Sequence, residues 1–359
     1  MKTILSLLSG ILLISCYHPV TYQIGGTGQE NISMKIAAAD QTGAKTGFWI
    51  MNDGTMIHHF RDGLGKPVLV IHGGPGEPYR KPWEGLRLLS DCYAIDYYDQ
   101  RGCGGSDRCI DRLTSKDQNV WQKTLYQKLG IETQLKDIEQ IRQILGMEKI
   151  VLIGHSYGGV IAALYAIEFP DRVEQLILVS PAPSIRQPLE KNLDLYNILN
   201  EHLSASTRKE FKSYRERIWD YDEVMLKSEK ELHEMNLNFF RFYDEYLNNT
   251  GMSHTIPMIH NLIDKDNIGG WLNYAYALSF PDQYDYRDNL KSIKAPTLII
   301  WGDKDLCQPD GISDYLIHIP RAKQLKFKNC GHFPFEEKPE EFAEAVKSFL
   351  KIKPQEMEK

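Results

Sequence analysis

The apolar run Ile150-Val151-Leu152-Ile153 leads directly into Gly154-His155-Ser156-Tyr157-Gly158, and the small-residue stretch Gly159-Val160-Ile161-Ala162-Ala163-Leu164 follows at once. That order fits a strand, a five-residue turn and a helix. The turn is so tight that only glycine fits on either side of the serine, and it lifts the hydroxyl above the sheet edge. Glycine and serine are common, so the pentapeptide alone says little. The strand before it and the helix after it strengthen it, and two signals downstream are needed to make it catalytic.

The rest of the chain repeats the strand-and-helix pattern. Thr46–Met51 and Thr55–Phe60 flank an Asn52-Asp53-Gly54 turn, a hairpin signal. Pro67–His72 and Tyr93–Tyr98 read as buried strands. Leu135, Ile138, Ile141 and Leu145 fall at helical spacing within Gln134–Leu145. Further strands are expected at Gln175–Ser180, Pro296–Trp301 and Gln324–Phe327, and an amphipathic helix from about Pro339. Near-continuous apolar strands separated by helices predict a mostly parallel sheet covered on both faces. From Ser184 to about Leu290 the strand runs vanish, and charged, aromatic helical stretches replace them. This region predicts a helical cap inserted between two core strands, opening at the carboxyl edge of the sheet.

A serine hydroxyl needs a base to remove its proton, and that base needs an orienting acid. Gly302-Asp303-Lys304-Asp305 follows the strand ending at Trp301, and Gly331-His332 follows the strand ending near Lys328. Both fall in loops on the edge that carries Ser156. The expected triad is Ser156, Asp305 and His332, with Asp303 as the rival acid or a turn carboxylate. The oxyanion hole is expected from the backbone N–H of Tyr157 and a second from His72-Gly73-Gly74-Pro75-Gly76, at Gly74. His155 is read as structural.

The N-terminus reads as a targeting segment. Lys2 supplies a positive start, and Ile4–Ile14 is an apolar run of about 11 residues, too short to span a bilayer. Leu13-Ile14-Ser15-Cys16 resembles the lipobox of bacterial lipoproteins, which implies lipidation of Cys16 and a lipid-anchored location in the bacterial cell envelope, outside the cytoplasm. Five cysteines remain: Cys92, Cys103, Cys109, Cys307 and Cys330. Cys307 with Cys330, and Cys103 with Cys109, are open as pairs or as free thiols. A net charge of −6 offers nucleic acid no electrostatic partner. The eleven histidines are scattered, so no metal or other cofactor is expected.

His72-Gly73-Gly74-Pro75-Gly76 together with Asp99-Gln100-Arg101-Gly102-Cys103-Gly104-Gly105-Ser106 resembles the paired signatures of proline iminopeptidases, serine exopeptidases of the α/β-hydrolase superfamily. Gly331-His332-Phe333-Pro334-Phe335-Glu336-Glu337 resembles the superfamily's histidine loop. The resemblance runs from about Thr46 to Leu350 and implies an α/β-hydrolase fold: a mostly parallel sheet of about eight strands, helices on both faces, and an inserted helical cap. The expected organisation is a lipoprotein signal at 1–15, a tether at 16–45, core at 46–183 and 291–359, and the cap at 184–290. Asp99 and Arg101 are expected to brace the oxyanion turn.

The family binds the substrate's free α-amino group with cap glutamates, one in a Trp-x-x-Trp-Glu segment that this chain lacks. Glu77, Asp244 and Glu245 are the candidate substitutes, with Trp271 as an aromatic contact. The leading reading is release of N-terminal proline or small residues from short peptides. The alternatives are a carboxylesterase or other acyl hydrolase, and a catalytically degenerate binding lipoprotein.

Overall fold

The computed structural model describes residues 21–25, 46–115, 117–186, 195–279, 284–306 and 309–350. Cys16, Cys307 and most of the expected signal and tether lie outside them.

Among the described residues, ten strands follow in chain order: β1 (Thr46–Ile50), β2 (Met56–Asp62), β3 (Lys66–Ile71), β4 (Tyr93–Tyr98), β5 (Ile150–His155), β6 (Val173–Val179), β7 (Ile185–Arg186), β8 (Tyr284–Asp285), β9 (Thr297–Gly302) and β10 (Ala322–Phe327). Eight of them form one sheet in the order β1-β2-β4-β3-β5-β6-β9-β10. The β1–β2 and β2–β4 pairings are antiparallel and the rest are parallel.

The apolar runs are explained by burial on both faces. Val68, Val70, Val151, Ile153, Ile177 and Val179 face one cluster, while Leu69, Ile71, Ile150, Leu152, Leu176 and Leu178 face another. Successive strand side chains point to opposite faces, so a strand with both faces covered must be apolar throughout. The second cluster includes the helix Tyr157–Glu168 and Leu135, Ile138 and Ile141 of Ile131–Ile144.

Between β6 and β9 the chain leaves the sheet. Its two ends pair through β7 and β8, a two-residue antiparallel ladder that closes the base of the excursion. The described residues between them are mostly helical. Phe211, Phe240, Phe242, Tyr246 and Met252 from this region join the same cluster as Val68, Ile153 and Ile300, so one apolar body continues from sheet to cap.

Two other features set the frame. Tyr22, 1% exposed, donates its hydroxyl to Glu168 (2.6 Å) and its backbone N–H to the Ser279 carbonyl (2.6 Å), clasping the chain before β1 to the body. Arg101, also 1% exposed, makes a bidentate pair with Asp137 (2.6 and 2.5 Å) and reaches Asp53 (3.0 Å). Burial works against its charge, but the two carboxylates outweigh it and hold the guanidinium protonated. Cys103 and Cys109 are both free thiols, hydrogen-bonded to the carbonyls of Gln100 and Asp107, so the pairing that was open for them is not made. Cys330 is a buried free thiol.

Candidate active site

Ser156 stands between β5 and its following helix at φ 53°, ψ −120°, in a region non-glycine residues seldom adopt. Its neighbours explain how the turn is held. A Cβ on Gly154 would lie 2.3 Å from the Gly158 carbonyl oxygen, and one on Gly158 would lie 2.2 Å from that of Ile71. The helix therefore begins in contact with the end of β3, and only glycine permits it. The serine backbone is pinned from three sides: its N–H donates to Val179 (2.9 Å), and its carbonyl accepts from Gly159 (2.9 Å) and Ala182 (3.1 Å). Its side chain is half-buried.

The loops after β9 and β10 meet on the same edge. His332 Nδ1 and Asp305 Oδ1 are 2.7 Å apart, and Asp305 is 8% exposed. That contact presents Nε2 of the imidazole away from the acid. The rival Asp303 instead accepts the backbone N–H of Cys330 (3.3 Å), the turn role open to it in the sequence. The loop is braced further. His155 donates from Nε2 to the His332 carbonyl (2.9 Å) and accepts the Tyr79 hydroxyl at Nδ1 (2.7 Å). Burial holds His155 well below the usual imidazole range, so it stays neutral. Glu337 takes the N–H groups of Gly331 (2.8 Å) and Phe333 (3.0 Å), one on each side of His332.

The glycine turn after β3 lies against the serine: a Cβ on Gly73 would stand 3.1 Å from Ser156 Cβ. Gly74 has φ 109°, open to glycine alone. His72 anchors this turn from below. Its Nδ1–H donates to Gly73 (2.9 Å), and its Nε2 accepts the Gln100 N–H (3.0 Å), while the Gln100 side chain returns a bond to the His72 carbonyl (2.9 Å). Gln100 sits between Asp99 and Arg101. Asp99 accepts from His58 and the Gly105 N–H (both 2.8 Å), and Arg101 is the buried cation described above. The loop thus holds the glycine turn through Gln100, the residue between the Asp99 and Arg101 expected to brace it.

A family model described as alpha/beta hydrolase fold matches residues 66–339. The chain belongs to the α/β-hydrolase fold family. It is proline iminopeptidase-like within that family. It is 28% identical over 299 residues to a proline iminopeptidase of Heyndrickxia coagulans, covering 80% of this chain and 92% of that one. It is 30% identical over 299 residues to a proline iminopeptidase of Lactobacillus crispatus, covering 79% and 89%. A solved α/β fold family hydrolase from Bacillus anthracis shares its fold at TM-score 0.58 and 23% identity, over 85% of this chain and 98% of that one. The family and the fold expected from the sequence are both borne out, and the chain is a hydrolase.

The substrate side of this α/β hydrolase departs from the sequence reading. Trp271 is 0% exposed. Its indole N–H donates to the Asp111 carbonyl (3.1 Å), and it belongs to a buried apolar cluster with Trp121 and Leu125. A ring with no open surface cannot meet a substrate, so Trp271 is a core residue. Glu245 accepts the Ser204 N–H (2.7 Å) at the start of the helix Ala205–Ile218. Burial opposes its charge, but bonds from Thr207 and Ser204 together keep its carboxyl below the ordinary range, so it serves the cap's own fold. Asp244 pairs with His260 (2.8 Å).

Glu77 is different. Its backbone N–H reaches the Gly73 carbonyl (3.3 Å), and its side chain folds back over the turn, with Cγ 3.1 Å from where a Gly74 Cβ would be. It is half-buried. Burial pushes its carboxyl up to about 7, against the pull of His332 and Lys265. Sequence reasoning missed the bracing roles of Tyr79 and Glu337 and the presence of Lys265. Glu337 lies within the quoted histidine loop, but no spacing rule marks which of its carboxylates turns back to the backbone.

Proposed function

We propose that this hydrolase is a serine aminopeptidase that releases N-terminal proline or small residues from short peptides. The observation that carries the reading is the position of Glu77. In an α-aminoacyl substrate the ammonium nitrogen is attached to the carbon next to the scissile carbonyl. Whatever holds the ammonium must therefore lie beside the oxyanion hole. A carboxylate folded onto Gly74 meets that requirement, whereas an ester without an amine gains nothing from it.

In this reading Ser156 Oγ attacks the carbonyl carbon as His332 Nε2 takes its proton, and Asp305 stabilises the imidazolium. The N–H groups of Gly74 and Tyr157 receive the oxyanion. His332 passes the proton to the leaving amine, and the peptide departs with a new N–H. Water then repeats the sequence on the acyl-enzyme, freeing the amino acid and restoring Ser156.

Glu77→Gln tests the proposal. A charge-assisted hydrogen bond is worth about 1.5–3 kcal/mol, so kcat/KM for prolyl or alanyl naphthylamide is expected to fall roughly 10–100-fold. The loss on p-nitrophenyl acetate should be far smaller. The pH dependence has a defined sign. Glu77 is charged only above about 7, so ammonium recognition disappears as pH falls through that value. Amide turnover should therefore drop more steeply on acidification than ester turnover. Ester hydrolysis with no amide hydrolysis overturns the peptidase reading in favour of an acyl hydrolase.

We further propose that Cys16 carries a lipid anchor, on the Leu13-Ile14-Ser15-Cys16 pattern. The Tyr22 clasp supports a short leash, because the chain between them reaches about 20 Å at most. Cys16→Ser should move the protein from the membrane fraction to the soluble one, and unchanged fractionation overturns the anchor.

A further inference from the structure

The cap segment Ile263–Gly269 is docked along Gly76–Arg80. Arg80 donates its backbone N–H to Leu262 (2.8 Å), Asp264 donates to Pro78 (2.9 Å), and Gly269 donates to Gly76 (2.8 Å). Tyr79 and Ile263 form an antiparallel bridge in the middle. This pairing sets Lys265 across the seam from Glu77, within its electrostatic reach.

The other charges of the seam are already matched. Arg80 is held by Asp264 (2.8 Å) and Asp266 (3.2 Å), and Asp244 by His260 (2.8 Å). Among the described residues Lys265 and Glu77 make no ion pair, with each other or with any other group. Lys265 Nζ instead rests over the Phe240 ring, 4.3 Å from its centroid, while Glu77 lies back on Gly74. Both are half-buried. Two opposite charges in one partly desolvated cleft gain by closing on each other, unless their anchors hold them apart. Here a ring holds one and a turn holds the other.

From this juxtaposition we infer that Lys265 is a carboxylate-binding residue for the free C-terminus of a dipeptide, whose ammonium Glu77 receives. The inference rests on the aminopeptidase reading above and names its substrate class. A dipeptide is a zwitterion with charges roughly 5–7 Å apart along the backbone, and the cleft offers one acidic and one basic side chain to meet its two ends. A peptide amide or a naphthylamide lacks the second charge. Burial lowers the tendency of Lys265 to stay charged, with Asp244 and Glu77 opposing that effect. An incoming carboxylate would complete what those two begin.

The test compares alanyl-alanine with alanyl-alaninamide in wild type, Lys265→Arg and Lys265→Met. Wild type is expected to prefer the free acid at least tenfold in kcat/KM, mainly through KM. Lys265→Arg should keep the preference, and Lys265→Met should reduce the ratio to about one. The ratio is internal to each variant, so a fraction of unfolded protein cancels from it. Peptide turnover with a wild-type ratio near one, or a preference that Lys265→Met leaves in place, overturns this inference alone. Wild-type hydrolysis of p-nitrophenyl acetate with neither peptide cleaved overturns the aminopeptidase reading, and this inference with it.

Discussion

Ser156→Ala is expected to remove hydrolysis of amide and ester substrates alike, by a factor of about 10⁴ or more. Losses of that size follow when the nucleophile of a serine–histidine pair is removed and only binding and the oxyanion hole remain. The fold should survive. What holds the elbow is backbone: the Val179, Gly159 and Ala182 bonds and the close approach of Gly158 to β3. None of these uses the serine hydroxyl. Alanine tolerates φ 53° about as well as serine does, so the far-ultraviolet circular dichroism and melting temperature should change little. A variant that is folded and still hydrolyses either substrate would refute Ser156 as the nucleophile.

The second large effect concerns stability. Asp137→Ala leaves Arg101 buried without its bidentate partner, and stranding one member of such a pair costs about 3–5 kcal/mol. For a chain of 359 residues, that corresponds to a fall of roughly 4–7 °C in Tm. Asp53 cannot substitute, because its side chain is 49% exposed and its contact is screened by water. The damage should also reach activity in the molecules that stay folded. Arg101 adjoins Gln100, and Gln100 holds His72 at the base of the glycine turn. Thermal unfolding checks the first effect, and a kcat measured well below the transition checks the second. A Tm within two or three degrees of wild type would show that Arg101 finds other compensation.

Much of the site could be read before any coordinates. Ser156, Asp305 and His332 are far apart in the chain, yet each follows an apolar run that reads as a parallel strand. Parallel strands in one sheet end on one edge, so loops after three of them are neighbours by construction. The same logic reached Gly74, whose turn follows a fourth strand. The acid was harder. Asp303 and Asp305 both sit after β9, and the structure separates them by what each touches, the Cys330 N–H or the imidazole.

The cap resisted the same approach. Trp271 and Glu245 looked available because aromatic and acidic residues in a helical insertion have no strand edge to place them. Trp271 turned inward and Glu245 capped a neighbouring helix. Lys265 drew no notice, since a lone lysine in a charged region reads as solvated surface. Its meaning comes from lying opposite Glu77 with Phe240 beneath it, a relation between positions 77, 240 and 265 that no local spacing encodes.

The division follows from the physics of each part. Apolar periodicity and glycine turns are local, so the amino-acid sequence by itself determined the sheet, the elbow and the edge where the loops of Ser156, Asp305 and His332 gather. Side-chain partnership is a property of three-dimensional distance. Which carboxylate met the histidine, which cap residues were consumed by the cap's own packing, and which two opposite charges were left facing each other were decided only when the tertiary structure brought the cap down onto the sheet.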